Sequence, residues 1–283
     1  MNAIAEPAST PPTRTSAEAE PVVSFEHVEL AFDERAVLRD VSFTLLKGHT
    51  KIILGASGSG KSTSLKIITG LLRADAGVVT VNGRRVDQLN EQQMMAVRAD
   101  LGLIFQEGAL FDSLTVRENV GYKLYEETDM PLEDVDRRVA EVLGFVGLGE
   151  HIDKMPSALS GGQRRRVAIA RAMASKPSIL LYDEATTGLD PITAITVNDE
   201  IVKLRDLEGV SSIVVTHQLR DAFYVATHMA VRDGTGRVRI ERASPEKEQE
   251  TEFLMLRDGV IVFEGDAEAL RRSTDPYIRT FLS

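Results

Sequence analysis

Residues 55–62 are Gly55-Ala56-Ser57-Gly58-Ser59-Gly60-Lys61-Ser62, between an apolar run at 51–55 and a segment of helical periodicity at 61–72. The spacing matches G-x-x-x-x-G-K-[ST], which requires a strand, a glycine-rich loop and a helix in this order. Glycines let backbone N–H groups approach phosphate oxygens, and the start of the helix contributes its positive dipole end. The stretch therefore predicts a nucleoside triphosphate site.

Two side chains of this loop have distinct predicted roles. The ammonium of Lys61 is expected to bridge the β- and γ-phosphates, and the hydroxyl of Ser62 to coordinate Mg²⁺. The remaining phosphate contacts are expected from the loop and the first helical turn, namely from Gly55, Ser57, Gly58, Ser59, Gly60 and Thr63.

Strand-like and helical segments alternate on both sides of the loop. Strands are predicted at 22–32, 51–55, 78–83, 101–106, 179–183, 211–217 and 252–264, and helices at 61–72, at 131–147, after Ser160 and from Asp190. This alternation is typical of a parallel α/β core with helices on both faces. Residues 115–175 hold no convincing strand, so a helical insertion is expected there.

Two polar segments depart from this pattern. Residues 1–21 hold four of the ten prolines and few large apolar side chains, so they predict a disordered tail. Residues 233–252 combine a turn signal with a dense charge run. An exposed hairpin or loop excursion is the favoured interpretation of this charged insertion, and a partner-binding element is the alternative.

The composition excludes several classes of protein. The 283 residues have a formal net charge of −10 and no cysteine, which excludes disulfides, thiol catalysis and thiolate metal sites. The acidic balance is unlike the basic footprint of a nucleic-acid binder. No apolar run approaches the roughly 20 residues of a membrane span, and the N-terminus lacks a secretion signal. We expect an intracellular globular protein.

Two further motifs identify the kind of phosphate loop. Residues 159–163 are Leu-Ser-Gly-Gly-Gln, and residues 179–184 form an apolar strand that ends in Asp183 and Glu184. With the loop, they resemble the ATP-binding-cassette (ABC) ATPases, over residues 22–232 and again from 253. The resemblance implies one α/β domain at 22–283, with a mixed sheet, flanking helices, an antiparallel β subdomain, an inserted helical subdomain at about 107–175 and a C-terminal segment at 253–283.

The paired carboxylates have separate predicted functions. Asp183, at a strand end beside the loop, can hold Mg²⁺ through water, and Glu184 can polarise the attacking water as general base. A solvated, helix-capping pair is the alternative. The family resemblance favours the catalytic interpretation, with ATP and Mg²⁺ as cofactors.

The resemblance also implies a dimer. In ABC ATPases two subunits pack head-to-tail, and the signature residues of each contact the γ-phosphate held by the other. Here the signature comprises Ser160, Gly161, Gly162 and Gln163. An ordinary serine-capped helix is compatible with the same residues.

Four more positions match the family pattern one by one. Gln106 corresponds to the Q-loop glutamine, a ligand of Mg²⁺ or water, and His217 to the switch histidine at the γ-phosphate. Asp190 corresponds to the D-loop at the subunit interface and, with Pro191, is also a good helix start. Phe32 occupies the place of the adenine-stacking aromatic, although a half-buried strand phenylalanine is the alternative.

Two positions depart from the family's usual residues. Ala185 stands where proline is usual, and Thr187 replaces a common serine. Neither change removes a ligand or a base, so normal hydrolysis is expected.

The residues after Gln106 narrow the family. Gly108-Ala109-Leu110-Phe111-Asp112-Ser113-Leu114-Thr115-Val116 resembles the ATPases of MCE-associated, Mla-type phospholipid transporters, as does the end from Asp275. That group implies a homodimer at the cytoplasmic face of the bacterial inner membrane, held there by a separate permease dimer, with MCE-domain substrate-binding components as further partners. Leu110 and Phe111 either line the permease's docking groove or belong to the subdomain core.

Two other functions remain open at this stage. The same ATPase could serve another transporter, such as a polar amino-acid importer, and only the permease would differ. The second alternative is a non-transport ABC protein that acts on nucleic acid. The acidic balance and the single cassette both argue against this function.

Overall fold

The computed structural model describes residues 20–283. The predicted disordered tail lies outside the described residues, apart from Glu20 and Pro21. Pro21 is the first residue of a strand.

The central sheet has six strands and confirms the predicted parallel core. Its order is β12-β11-β3-β8-β7-β6, and all neighbours are parallel except β12, which pairs antiparallel with β11. The strands are β3 (Thr50–Leu54), β6 (Leu101–Ile104), β7 (Ile179–Asp183), β8 (Ser211–Val215), β11 (Thr251–Arg257) and β12 (Val260–Gly265). All five residues of β3 and of β8 are buried, as expected for strands covered on both faces.

An antiparallel sheet of order β2-β1-β4-β5 packs beside this core. Its strands are β1 (Pro21–Phe32), β2 (Arg35–Leu46), β4 (Ala76–Val81) and β5 (Arg84–Arg85). The prediction omitted β2, although Val41, Phe43 and Leu45 alternate with polar residues and are buried. The ring of Phe43 stacks on that of Phe25 in β1 with centroids 4.5 Å apart, and these side chains join the antiparallel sheet to the core.

The first helix is shorter than predicted. The prediction extended it from 61 to 72, but α1 is Lys61–Ile68. Gly70 has φ 67°, and the N–H of Leu71 donates to the carbonyl of Lys66 over 2.8 Å. A left-handed glycine with this backbone closure is a common helix stop.

In the chain, three helices lie between β6 and β7. They are α3 (Val116–Glu127), α4 (Leu132–Phe145) and α5 (Gly161–Ala174); α2 (Glu91–Arg98) precedes β6. No strand occurs at 115–175, as predicted. Valines of α3, α4 and α5, among them Val120, Val139 and Val167, share one buried cluster with the central sheet.

The charged insertion contributes the turn and the second strand of a hairpin. The strands of this hairpin are β9 (His228–Arg232), which precedes the insertion, and β10 (Val238–Arg242), and they pair only with each other among the described strands. Asp206 in α6 (Pro191–Glu208) anchors the hairpin. It accepts a hydrogen bond from the N–H of Ala230 over 2.8 Å and forms an ion pair with Lys247 over 3.0 Å.

The remaining helices are short. They are α7 (Leu219–Thr227), α8 (Pro245–Glu248), α9 (Ala267–Arg272) and α10 (Pro276–Leu282). Asp275 caps α10, and Ile278 is its buried anchor. None of the helices within residues 20–283 has both the length and the apolar character that crossing a membrane requires.

Candidate nucleotide site

The phosphate-binding loop connects β3 to α1 and depends on glycine backbone geometry. Gly55 has φ 150°, and Gly60, which caps α1, has φ 106°. A Cβ built on Gly60 would lie 2.6 Å from Cδ2 of Leu38 and 3.0 Å from the carbonyl oxygen of Val37. An alanine would therefore be strained both by conformation and by contact. Ser59 is buried, and its hydroxyl has no hydrogen-bond partner within residues 20–283.

Lys61 lies inside this loop. Its ammonium donates to the carbonyl oxygens of Gly55 and Ala56, both over 2.9 Å, and is 4.0 Å from a carboxylate oxygen of Glu184. Burial lowers the pKa of Lys61, while the negative charges of Glu184 and Asp183 raise it. The charge is thus held beside the N-terminus of α1, where a phosphate group would be bound.

Ser62 and Asp183 meet at the carboxyl edge of the central sheet. The hydroxyl of Ser62 donates to Oδ1 of Asp183 over 2.7 Å. Burial raises the pKa of Asp183, and the bond from Ser62 opposes that rise. A hydroxyl beside a carboxylate is an oxygen-donor pair of the kind that Mg²⁺ accepts next to nucleotide phosphates, so these residues fit the predicted ion.

Glu184 is held from three sides in a strained backbone conformation. Its φ is 52°, and its N–H donates to the carbonyl of Val215 over 2.9 Å. One carboxylate oxygen lies 3.2 Å from Nδ1 of His217, and the other accepts a hydrogen bond from the hydroxyl of Thr187 over 3.2 Å. A non-glycine residue in this region costs of order 1 kcal/mol, which these contacts offset.

A cavity of about 870 Å³ brings half of the predicted residues together. The predicted residues that line it are Phe32, Ser57, Gly58, Gly60, Lys61, Ser62, Thr63, Gln106 and Glu184. Phe32 is half exposed at the end of β1, and Gln106 follows β6. Asp183 and His217 reach the cavity through their contacts with Ser62 and Glu184. The size suits a bound small molecule such as a nucleotide.

The signature residues lie apart from this cavity. Ser160 caps α5: its hydroxyl accepts a hydrogen bond from the N–H of Gln163 over 3.3 Å, while the side chain of Gln163 accepts one from the N–H of Ser160 over 2.9 Å. Gly161 is exposed, and Gly162 packs so tightly on Thr193 that a Cβ would overlap its methyl group. None of these four residues is among those of the described chain that line the cavity.

Asp190 caps α6, as its Asp-Pro pair predicted. Its Oδ1 accepts hydrogen bonds from the N–H groups of Ile192 and Thr193, both over 3.0 Å. The hydrogen bond from the Thr193 hydroxyl lowers the pKa of Asp190. Asp190 also lies outside the residues that line the cavity.

Several residues at the site were not predicted. Arg35 and Val37 line the cavity from β2, the strand that the prediction omitted. Thr187 had been noted only as a departure from serine, yet its hydroxyl contacts Glu184. Away from the cavity, the serine cap of α5 was foreseen, but the reciprocal hydrogen bond that the Gln163 side chain accepts from the N–H of Ser160, which completes the capping box, was not.

A family model described as "ABC transporter" matches residues 38–187. The chain belongs to the ABC transporter family. It is 41% identical to the methionine import ATP-binding protein MetN of Bifidobacterium longum over 77% of this chain, but spans only 56% of that protein's length. It is 36% identical to the chloroplastic protein TRIGALACTOSYLDIACYLGLYCEROL 3 of Arabidopsis thaliana, over 92% of this chain and 73% of that protein.

Two more comparisons bear on the site. The chain is 32% identical to the intermembrane phospholipid transport system ATP-binding protein MlaF of Escherichia coli, over 92% of this chain and 88% of MlaF. Its fold matches the ATP-binding cassette MJ0796, whose dimer holds ADP and Pi, with a TM-score of 0.70 and 29% identity over 86% of this chain and 98% of MJ0796. The mixed α/β ABC fold is confirmed, and the protein is an ABC ATPase that uses ATP with Mg²⁺.

Replacing Gly60 by alanine is expected to weaken ATP binding by at least about tenfold, because the backbone conformation is strained and Leu38 blocks the methyl group. Equilibrium binding of a fluorescent ATP analogue measures this. Gly48→Ala is the matched control, since Gly48 also has a positive φ (76°) but no atom within 4 Å of the added carbon. The control is expected to lose about 1–2 kcal/mol of stability and to keep its affinity for ATP. Equal affinities in the two variants would contradict the assigned role of Gly60.

Proposed function

We propose that this chain is the ATP-hydrolysing subunit of a bacterial transporter that moves phospholipid between membranes with a separate permease. The carrying observation is the cavity that joins the phosphate-binding loop to Glu184. The choice of lipid as substrate rests on the segment after Gln106 and on the alignment with MlaF over most of both chains.

Hydrolysis would use the residues that the sheet edge places together. Ser62 and Asp183 would hold Mg²⁺, which when bound neutralises charge on the β- and γ-phosphates. Lys61 would donate to phosphate oxygens in place of its present carbonyl partners. Glu184 would accept the proton of the attacking water. Thr187 at one carboxylate oxygen and His217 at the other would orient the side chain of Glu184.

Three residues would complete the nucleotide contacts. Gln106 lines the cavity two residues after the end of β6 and would hold the ion or the attacking water. The ring of Phe32, which is 49% exposed, offers a face on which adenine would stack. His217 is 45% exposed at its side chain, so it would also reach the γ-phosphate.

Two of these subunits would pack head-to-tail. Ser160 and Gly161 are exposed at the N-terminus of α5, an anion site that does not line its own cavity. Next to Asp190, Ile192 is 79% exposed and Ile195 is 39% exposed at the start of α6. Neighbouring exposed apolar side chains mark an interaction surface. A second copy would place its signature residues on the nucleotide of the first.

The permease would dock beside Gln106. A groove of about 310 Å³ is lined by Phe105, Ala109, Phe111, Tyr122 and Arg171, among others. The rings of Phe111 and Tyr122 lie 4.7 Å apart and both are exposed by about 40%. An aromatic groove of this kind receives an amphipathic helix, so we propose a helix of a cytoplasmic permease loop as the occupant. The subunit would then lie at the cytoplasmic face of the inner membrane.

A methionine importer is the second candidate, in place of the polar amino-acid importer considered from the sequence, because methionine is an apolar amino acid. The observation in its favour is the 41% identity to MetN, which exceeds the 32% identity to MlaF. In either case the ATPase mechanism is the same, because the transported molecule would contact the permease and the external binding components. MCE-domain components belong only to the lipid proposal.

Replacing Glu184 by glutamine is expected to lower kcat for ATP hydrolysis about 100-fold or more, since the amide cannot accept the proton of water. Affinity for ATP should persist because the loop and the Ser62–Asp183 pair remain. Phosphate release and ATP binding measure the two properties. Glu208→Gln, an exposed change at the end of α6, is the control. An unimpaired rate in the Glu184 variant would refute its assignment as base.

Purification of the tagged full-length chain from its native membranes, with its permease, tests the transport proposal. We expect a lipid-transporter permease and MCE-domain proteins to co-purify, and phospholipid to be enriched over bulk membrane lipid. After reconstitution, ATP hydrolysis should respond to the lipid-loaded MCE component. A complex whose ATPase responds instead to methionine with its binding protein would overturn the lipid assignment and leave the ATPase assignment intact.

Replacing Phe111 by alanine is expected to reduce the amount of permease that co-purifies by about fivefold or more, as for an aromatic hot spot. Quantitative mass spectrometry of the purified complex measures it. Leu132→Ala is the matched control, because Leu132 is a large apolar residue that is 70% exposed outside the groove. Equal permease recovery from both variants would contradict the assignment of Phe111 to the docking surface.

A further inference from the structure

A buried arginine in the second turn of α5 joins two loops of the nucleotide site. Arg165 is only 7% exposed. Its guanidinium donates to the carbonyl oxygen of Phe105 over 3.0 Å and to that of Thr187 over 3.2 Å. These carbonyls belong to segments 82 residues apart in the chain, so one side chain connects them.

The first of these carbonyls closes the turn that holds Gln106. The carbonyl of Phe105 also accepts a hydrogen bond from the N–H of Gly108 over 2.9 Å. Gln106 lies inside this turn and lines the cavity. Arg165 therefore fixes the backbone from which Gln106 projects.

The second carbonyl belongs to the turn that presents Glu184. The N–H of Thr187 donates to the carbonyl of Glu184 over 3.1 Å, and its hydroxyl donates to the Glu184 carboxylate over 3.2 Å. Arg165 binds the carbonyl of the same Thr187. The path from Arg165 to the carboxylate thus passes through a single residue.

Burying this charge is costly. Burial lowers the pKa of Arg165, and its Nε has no hydrogen-bond partner among the described residues. An apolar side chain of similar length would fill the same space without desolvating a guanidinium. The rigid guanidinium fork of arginine can donate to two carbonyls at once, which an apolar side chain cannot do.

We infer that Arg165 is a positioning residue for hydrolysis, which holds Gln106 and Glu184 in register with the helix that begins at the signature. The inference rests on the proposed function. Arg165 does not line the cavity and acts through Thr187 and Phe105. Thr187 is its partner in positioning the carboxylate.

Replacing Arg165 by methionine tests this in the full-length protein. We expect kcat for ATP hydrolysis to fall at least about tenfold, because the base and the water ligand lose their alignment, with KM within about twofold. Arg165→Lys should recover part of kcat, since an ammonium can still reach one carbonyl. Arg166→Met is the matched control: Arg166 is the next residue of α5 and donates to the carbonyl of Val146 over 2.8 Å, away from both turns.

A double-mutant cycle with Thr187→Val separates positioning from a general structural role. If both residues act through the Glu184 carboxylate, the double variant loses little more kcat than the more impaired single variant. Multiplicative losses, or equal kcat in the Arg165 and Arg166 variants, would overturn the inference. If Arg165→Met does not fold, the same cycle is run with Arg165→Lys. A wild-type protein without ATP hydrolysis would instead defeat the proposed function.

Discussion

The site depends on three parallel strands whose carboxyl ends are tied together beyond the strands themselves. The N–H of Glu184, after β7, donates to the carbonyl of Val215 at the end of β8, and the N–H of Thr216 donates to Ile53 in β3. Loops at the carboxyl edge of a parallel sheet are the usual place for ligands. Here these two bonds set the distance between the phosphate-binding loop and the acidic pair, Asp183 and Glu184. The hydrogen bond from Ser62 to Asp183 then connects the loop to this pair directly.

The motif residues could be predicted from the sequence because each has a local chemical requirement. The sequence pattern is sufficient to locate the glycines between a strand and a helix, and Asp183 at the end of an apolar strand. The structure brings these residues to the carboxyl edge of the central sheet. Thr187 and Arg165 could not be found in this way. Their importance comes from contacts with residues 3 and 60 positions away, and no local motif indicates these contacts.

The errors in the fold prediction have similarly physical causes. β2 carries the charged pair Arg39-Asp40 between two apolar stretches, and its pairing with β1 has register shifts. Its period-2 signal is therefore weak. Helix α1 keeps helical periodicity past its end, but the left-handed Gly70 stops it four residues before the predicted end. Both errors lie where tertiary pairing or one backbone angle overrides the side-chain pattern.

In the proposed head-to-tail dimer, α5 would connect the exposed signature of each subunit to that subunit's own nucleotide site. α5 begins at the exposed signature and carries Arg165 one turn later, with Arg171 beyond it. Arg171, which lines the aromatic groove together with Ala109, donates to the carbonyls of Gly108 and Ala109 over 2.9 and 2.7 Å. One rigid helix thus contacts the Gln106 turn, the Glu184 turn and the groove. A displacement of its N-terminus by a partner's nucleotide would shift all three together, because a helix moves as a body and close-packed neighbours must follow.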